Sequence, residues 1–325
     1  MQCKICGNSD NNTNHEATEM MLGIRDKHTY IQCGACDCLQ IAEIPENLPS
    51  YYPDDDYYSY DKIQSPTGFK KFLINKRDLY AATGNCFLGK VVHKFMPHSK
   101  IHTLQKVGIT TNSRILDVGC GAGHLLHSLQ ESGFNNLLGI DPFNTKNIHY
   151  DNGLKIEKKS IHELEQGGWD LIMFHHSFEH VADQLETLAK ATSLLKEGGT
   201  CLVRVPTASS WAWKHYGVNW VQLDAPRHLF LHSIDSMKLL SKKVGLKMEE
   251  VVYDSFAFQL WGSEQYEKDI PLNDKRSYAV NPDNSPFSKD DITGFKKRSI
   301  ELNQNNQGDQ AAFYLKKLAQ YATKN

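Results

Sequence analysis

The stretch that most constrains what this chain can fold into runs from Arg114 to Leu126, where Asp117, Gly119, Gly121 and Gly123 fall at alternate positions. Ile115, Leu116 and Val118 read as a short buried strand, and a helix led by His124 starts after the last glycine. Residues without a Cβ let backbone N–H groups come close to a ligand. The helix N-terminus adds partial positive charge that suits a carboxylate or another anion. The pattern Asp-x-Gly-x-Gly-x-Gly differs from the Gly-x-Gly-x-x-Gly of a dinucleotide site. That difference sets a nucleotide-dependent oxidoreductase aside.

The flanking sequence supplies the rest of a sheet. Residues 136–141 read as a second strand ending in Asp141, at the distance where an acid accepts hydrogen bonds from both hydroxyls of a ribose. Residues 154–157 fit a short third strand, Trp169 to about His175 a buried fourth, and 195–206 a turn plus a fifth. Residues 247–253 and 311–315 give two more. Strands alternating with helices at this pitch predict a doubly wound, mostly parallel α/β sheet with ligands at the carboxyl ends of its strands. Upstream, apolar spacing predicts helices over 66–80, 87–96 and 100–107, placed to cap the ligand-facing end of the sheet. Their basic residues Lys70, Lys71, Lys76 and Arg77 read as a solvated face.

At the N-terminus, Cys3, Cys6, Cys33 and Cys36 form two Cys-x-x-Cys pairs. The chain opens without an apolar leader, so paired thiols are expected to be metal ligands and not cystines. Four thiolates suit one tetrahedral zinc with no open position, which makes the ion structural. Cys38 falls outside that set. Residues 44–60 carry prolines, an acidic run and five tyrosines, and read as a linker packed over the next domain. No apolar run reaches the roughly 20 residues of a membrane span, and the chain is expected to stay in the cytoplasm. A formal net charge of −2 argues against nucleic-acid binding by bulk electrostatics.

Over residues 112–206 these motifs resemble the class I S-adenosylmethionine (SAM) methyltransferases. Asp117 and its glycines match the family's first motif, Asp141 its ribose acid, and Leu195 to Val205 its Leu-Lys-x-Gly-Gly strand. Glu179-His180-Val181 matches the Glu-His helix start of a branch with many small-molecule and sugar methyltransferases. The resemblance implies a seven-stranded, Rossmann-like sheet carrying SAM. Gly119 and Gly121 would pass the methionine part, Asp117 and Gly123 would complete the cofactor-binding turn, Asp141 would hold the ribose, and Phe174 and His175 would line the cofactor. Ser160-Ile161-His162 stands where many relatives carry an adenine-binding Asp. His175, His176 and His180 show no metal-ligand spacing of their own and read as a cap and loop anchor.

Residues 207–233 hold the densest run of aromatics and histidines, placed to cover the mouth of the cofactor site. Pro226-Arg227-His228-Leu229 resembles a signature of bacterial methyltransferases of polysaccharide and lipopolysaccharide synthesis. The segment is more distantly similar to the Tyr-His-Glu-His of zinc-ribbon deoxysugar C-methyltransferases. Only the last histidine is kept, as His228, while Ala225 and Pro226 replace the Tyr and first His. The SAM methyl is already activated, so alignment and proton removal remain, and His228 is expected to be the general base. Arg227 is expected to pair with a phosphate or carboxylate of the acceptor.

The expected organisation is a zinc ribbon over 1–45, a linker and cap helices over 46–111, and a methyltransferase domain over 112–325. That last part holds the substrate loop at 207–233 and an insertion at 262–307. The expected activity is methyl transfer from SAM to a small-molecule acceptor, sugar-like or a nucleotide sugar. Two other readings are a ribbon that recognises RNA or protein for methylation, and a non-catalytic zinc-dependent interaction protein.

Overall fold

In the computed structural model, residues 1–52 and 67–318 are described. Tyr57, Tyr58 and Tyr60 of the expected linker lie outside them. The chain starts with three antiparallel strands, β1 (Thr13–Thr18), β2 (Lys27–Gln32) and β3 (Leu39–Ile41). The capping helices are α1 (Gly68–Thr83), α2 (Phe87–Phe95) and the single turn α3 (Ser99–His102). The helix expected over 100–107 runs on as a 3-10 turn, Thr103–Val107, which stops at Gly108 in the left-handed region.

The main sheet then begins with β4 (Ile115–Val118), α4 (His124–Glu131) and β5 (Leu137–Ile140). It continues through β6 (Ile148–His149), β7 (Lys155–Glu157), β8 (Trp169–His175), α5 (Gln184–Leu194) and β9 (Leu195–Pro206). After α6 (Trp211–Tyr216) and β10 (Phe230–Leu231) come α7 (Ile234–Lys243), β11 (Leu246–Tyr253), α8 (Phe258–Glu267), α9 (Lys289–Gln304) and β12 (Gln310–Lys317).

The strand order is β11-β12-β9-β8-β4-β5-β7-β6. Strands β9, β8, β4, β5 and β7 run parallel, and β12 lies antiparallel to both its neighbours. Near-continuous apolar strands fit a sheet covered on both faces, and Ile115, Leu116, Leu171, Ile172 and Leu202 are fully buried. The sheet has eight strands where seven were expected. The extra one, β6, folds back antiparallel on β7 through a turn with Gly153 at φ 89°. Two residues are too few to show a strand periodicity, so β6 left no trace in the sequence pattern.

A second sheet has the order β1-β2-β3-β10. Its fourth strand comes from the 207–233 stretch, with Phe230 opposite Gln40 and Leu231 opposite Leu39. The junction is reinforced beyond the ladder. Ile41 N–H donates to the Leu229 carbonyl at 2.9 Å, the buried Tyr30 hydroxyl to the His228 carbonyl at 2.8 Å, and Lys243 Nζ to the Ile5 carbonyl at 2.6 Å. The cysteine-bearing segment therefore shares a sheet with the loop expected to face the substrate.

Candidate functional site

The glycine turn after β4 uses all three glycines in the left-handed region, with φ of 72° at Gly119, 55° at Gly121 and 80° at Gly123. Two positions also lack room: a Cβ on Gly119 would lie 2.5 Å from Ser177 Cβ, and one on Gly123 2.4 Å from Ile156 Cδ1. At the end of the neighbouring β5, Asp141 accepts hydrogen bonds from Gly121 N–H at 2.8 Å and Phe143 N–H at 2.9 Å. Burial pushes its pKa upward against those amides. A carboxylate offers about four acceptor positions, so with the Asn144 amide also beside it capacity remains for a further donor.

Asp117 is 3 % exposed and its Oδ1 has no hydrogen-bond partner. Burial first, then the nearby Asp141 charge, push its pKa up to about 7. The folded-state value lies above the ordinary carboxylate value of about 3.9, so ionising Asp117 opposes folding. That penalty is absent below about pH 4, grows up to about pH 7 and is complete above it. Asp117→Asn is expected to stabilise the ligand-free chain at pH 8 by roughly 2–4 kcal/mol and to leave it unchanged near pH 4. Urea unfolding at the two pH values measures this. Equal effects at both would show that Asp117 is not held uncharged.

Other unpartnered polar atoms gather at the same strand ends. Both ring nitrogens of His175, Nη2 of Arg204 and both carboxylate oxygens of Glu179 are buried without a hydrogen bond. Each such group costs about 1–3 kcal/mol in a dry interior, so a cluster of them fits a polar ligand better than a finished core. Arg204 was not singled out in the sequence, because an Arg inside a strand pattern reads as a surface residue. It is completely buried, with Nε donating to Asp254 Oδ2 at 2.7 Å and Nη1 to His176 Nε2 at 2.8 Å. Phe174 is also fully buried and packs edge-to-face on Phe178 at 5.2 Å, which makes it a core contact. Ser160 caps a 3-10 turn with Glu163 as its capping-box partner.

Arg227 is corrected by the structure. It is 1 % exposed, its Nε and Nη2 bind the two oxygens of Asp224, and its Nη1 donates to the Tyr51 carbonyl at 3.1 Å. Three of its five N–H donors are used internally, and at 1 % exposure it clamps the loop and is not presented to an acceptor phosphate. Its charge holds the Asp224 pKa down to about 2, against the upward push of burial. Tyr51 is buried and donates to Asp26 of the preceding N-terminal segment at 2.6 Å, and the Tyr52 hydroxyl lies 3.2 Å from His180 Nδ1.

His228 is 6 % exposed, and its Nδ1 lies 2.8 Å from the Gln222 carbonyl. A carbonyl only accepts, so Nδ1 carries a proton, and in the neutral ring Nε2 holds the lone pair. Nε2 is 3.9 Å from Glu179 Oε1 and 3.6 Å from Asp224 Oδ2. His180 follows the same rule, with Nδ1 2.9 Å from the Arg227 carbonyl, and packs edge-to-face on His228 at 4.8 Å. Burial, then His228, lower the pKa of His180 and favour its neutral ring. Burial opposes ionisation of Glu179, but His176, His180 and His228 together hold its pKa down to about 2.

The four N-terminal cysteine sulfurs converge, with Cys3 Sγ 3.7 Å from Cys36 Sγ and Cys6 Sγ 3.4 Å from Cys33 Sγ. A tetrahedral ion with Zn–S bonds of about 2.3 Å separates its sulfurs by about 3.8 Å, so this donor set fits zinc after shifts of a few tenths of an ångström. Cys38 is fully buried nearby and outside the cluster.

Residues 92–251 match a family model described as a methyltransferase domain. Over this stretch, just under half of the chain, the sequence is similar to that family. The sequence is also similar to ubiquinone biosynthesis O-methyltransferases. The one from Vibrio parahaemolyticus is 29 % identical over 119 residues, covering 34 % of this chain and 51 % of the relative. For Cronobacter sakazakii the figures are 24 % over 149 residues, 42 % and 61 %. The chain thus spans a little over half the length of these curated relatives. Among solved structures, an S-adenosylmethionine dependent methyltransferase from Mesorhizobium loti is 15 % identical with TM-score 0.44, covering 68 % of this chain and 99 % of that one. A SAM dependent methyltransferase from Archaeoglobus fulgidus is 16 % identical with TM-score 0.42, covering 71 % and 100 %. Within the matched stretch lie Asp117, the three glycines, Asp141, His175, Glu179, His180 and His228. The cysteine cluster lies before it.

Proposed function

We propose that the protein transfers a methyl group from SAM to a hydroxyl-bearing small molecule, and that a structural zinc in Cys3, Cys6, Cys33 and Cys36 steadies the acceptor side. The observation that carries this reading is the left-handed glycine turn with Asp141 beside it and the orphaned Asp117 carboxylate beneath it. SAM brings an ammonium, a carboxylate and a ribose diol. The turn and the start of α4 suit its carboxylate, the spare acceptor position of Asp141 a ribose hydroxyl, and an ionised Asp117 its ammonium. His175 supplies two further polar atoms at the same end of the sheet.

SAM itself supplies the activated methyl. The protein's part is to hold the acceptor in line and to remove its proton, and His228 is the group proposed for the second task. Its protonated Nδ1 is fixed on Gln222, so Nε2 is free to take a proton, and Glu179 and Asp224 would steady the resulting cation. The similarity to O-methyltransferases of ubiquinone biosynthesis supports an oxygen acceptor. A sugar or nucleotide sugar stays within this proposal, as does a cytoplasmic location. No helix among the described residues is long and apolar enough to cross a membrane. The reading of the ribbon as a separate RNA or protein recognition module loses force, because β10 binds the ribbon into the acceptor loop.

Calorimetry with SAM tests the proposal. The wild-type chain is expected to bind with measurable heat, and Asp141→Ala to abolish it, since the ribose acceptor and the bond holding Gly121 are lost together. A wild-type chain giving neither heat nor thermal shift with SAM at about 1 mM, near the weak end of useful affinities, would sink the proposal.

A further inference from the structure

Two groupings of three or more metal-ligating side chains occur among the described residues: the four cysteines, and Glu179 with His180 and His228. In the second, one ligand atom from each residue lies within 4.8 Å of the others. The sequence concealed it, because Glu179 and His180 follow β8 while His228 comes from the loop before β10.

We propose that Glu179, His180 and His228 bind a divalent transition-metal cation that faces the acceptor. Three features of the structure support this. First, Glu179 is 1 % exposed and neither oxygen makes a hydrogen bond. Its nearest donor is His176 Nδ1 at 3.4 Å, too long to satisfy a buried carboxylate. A cation would complete it. Second, both histidines spend Nδ1 on a backbone carbonyl, Gln222 for His228 and Arg227 for His180. That orientation is typical of metal-binding imidazoles: the outer hydrogen bond fixes the tautomer and leaves Nε2 as the donor atom. Third, Arg227 and His228 are themselves held. Arg227 is clamped by Asp224 and Tyr51, and the His228 carbonyl accepts from Tyr30. The donor set is therefore built before any ion arrives.

Two imidazoles and one carboxylate favour zinc or a neighbouring first-row ion over magnesium or calcium, which prefer oxygen ligands. Three protein ligands leave a position open, unlike the closed tetrathiolate. The inference rests on the reading of this pocket as the acceptor site and alters one part of it. An acceptor hydroxyl bound in the open position would release its proton to solvent as the oxygen–metal bond forms. His228 would then hold the ion and would not take the proton itself.

Zinc content separates the possibilities, with the full chain saturated with zinc alone, desalted and analysed for metal, and SAM calorimetry run on the same sample. Wild type is expected to retain two zinc ions, one for each ligand grouping, and Glu179→Gln to retain one with SAM heat unchanged. His180→Asn gives the same reading should Glu179→Gln fail to fold. One ion in wild type, or two in a folded variant, overturns the inference. In either case, retained SAM heat leaves the methyl-transfer proposal standing, and its loss in wild type condemns that proposal separately.

Discussion

Replacing His228 with alanine is expected to lower methyl transfer by about 10²–10⁴-fold, the scale of a lost positioned proton acceptor, whether it takes the acceptor proton or holds the proposed cation, with the heat of SAM binding unchanged. The glycine turn and Asp141 lie at the ends of β4 and β5, whereas His228 enters from the loop before β10, so the two functions are carried by different elements. Incorporation of labelled methyl from SAM into a cell extract provides the readout without knowledge of the acceptor. Full turnover in the variant would remove His228 from the chemistry. A loss of SAM heat together with turnover would instead show that the side chain staples the loop through Gln222.

The second large effect concerns the cysteine cluster. Cys33→Ser, or stripping with a strong chelator, is expected to unfold the three N-terminal strands, because a structural zinc supplies on the order of 10 kcal/mol of folding free energy. The consequence reaches further than residues 1–45. With β3 gone, β10 loses its only ladder among the described residues, and the bonds from Tyr30 and Ile41 to the His228 and Leu229 carbonyls go with it. Hydrogen exchange should therefore speed up at 27–41 and at 229–232 together. Continued protection at 229–232 after metal loss would show that the acceptor loop holds its own shape.

Much of the architecture could be read in advance because it is local. Asp117 and its glycines, Asp141 at the end of β5 and the long β9 are each written in a few adjacent residues, and the seven expected strands are all present. The same holds for the two Cys-x-x-Cys turns, whose sulfurs converge. What escaped depends on residues distant in sequence. Arg227 looked like a phosphate ligand because Arg beside His at a loop mouth has that chemistry. Only the fold reveals that it is buried and bound to Asp224 and the Tyr51 carbonyl. Glu179 looked like a helix start, and its approach to His228 needs the whole crossover through β9 to be seen. Trp220 donates to Asp309 at 2.9 Å, and burial raises that Asp to about 6. This link ties the acceptor loop to the Gly308-Asp309-Gln310 turn, and no periodicity announces it. Asp117 sits between the two cases: its position was plain, its unmet hydrogen bond was not.

The strand pairing between β3 and β10 sets the unit in which this protein can be rebuilt. A chimera cut at residue 45 would separate two halves of one sheet and expose the edges of both. Exchanging acceptor preference with a relative would require moving 1–45 and 207–233 as one cassette, leaving the SAM-facing strands untouched. Variation selected in one segment should then be answered in the other, at Gln40 opposite Phe230 and Leu39 opposite Leu231.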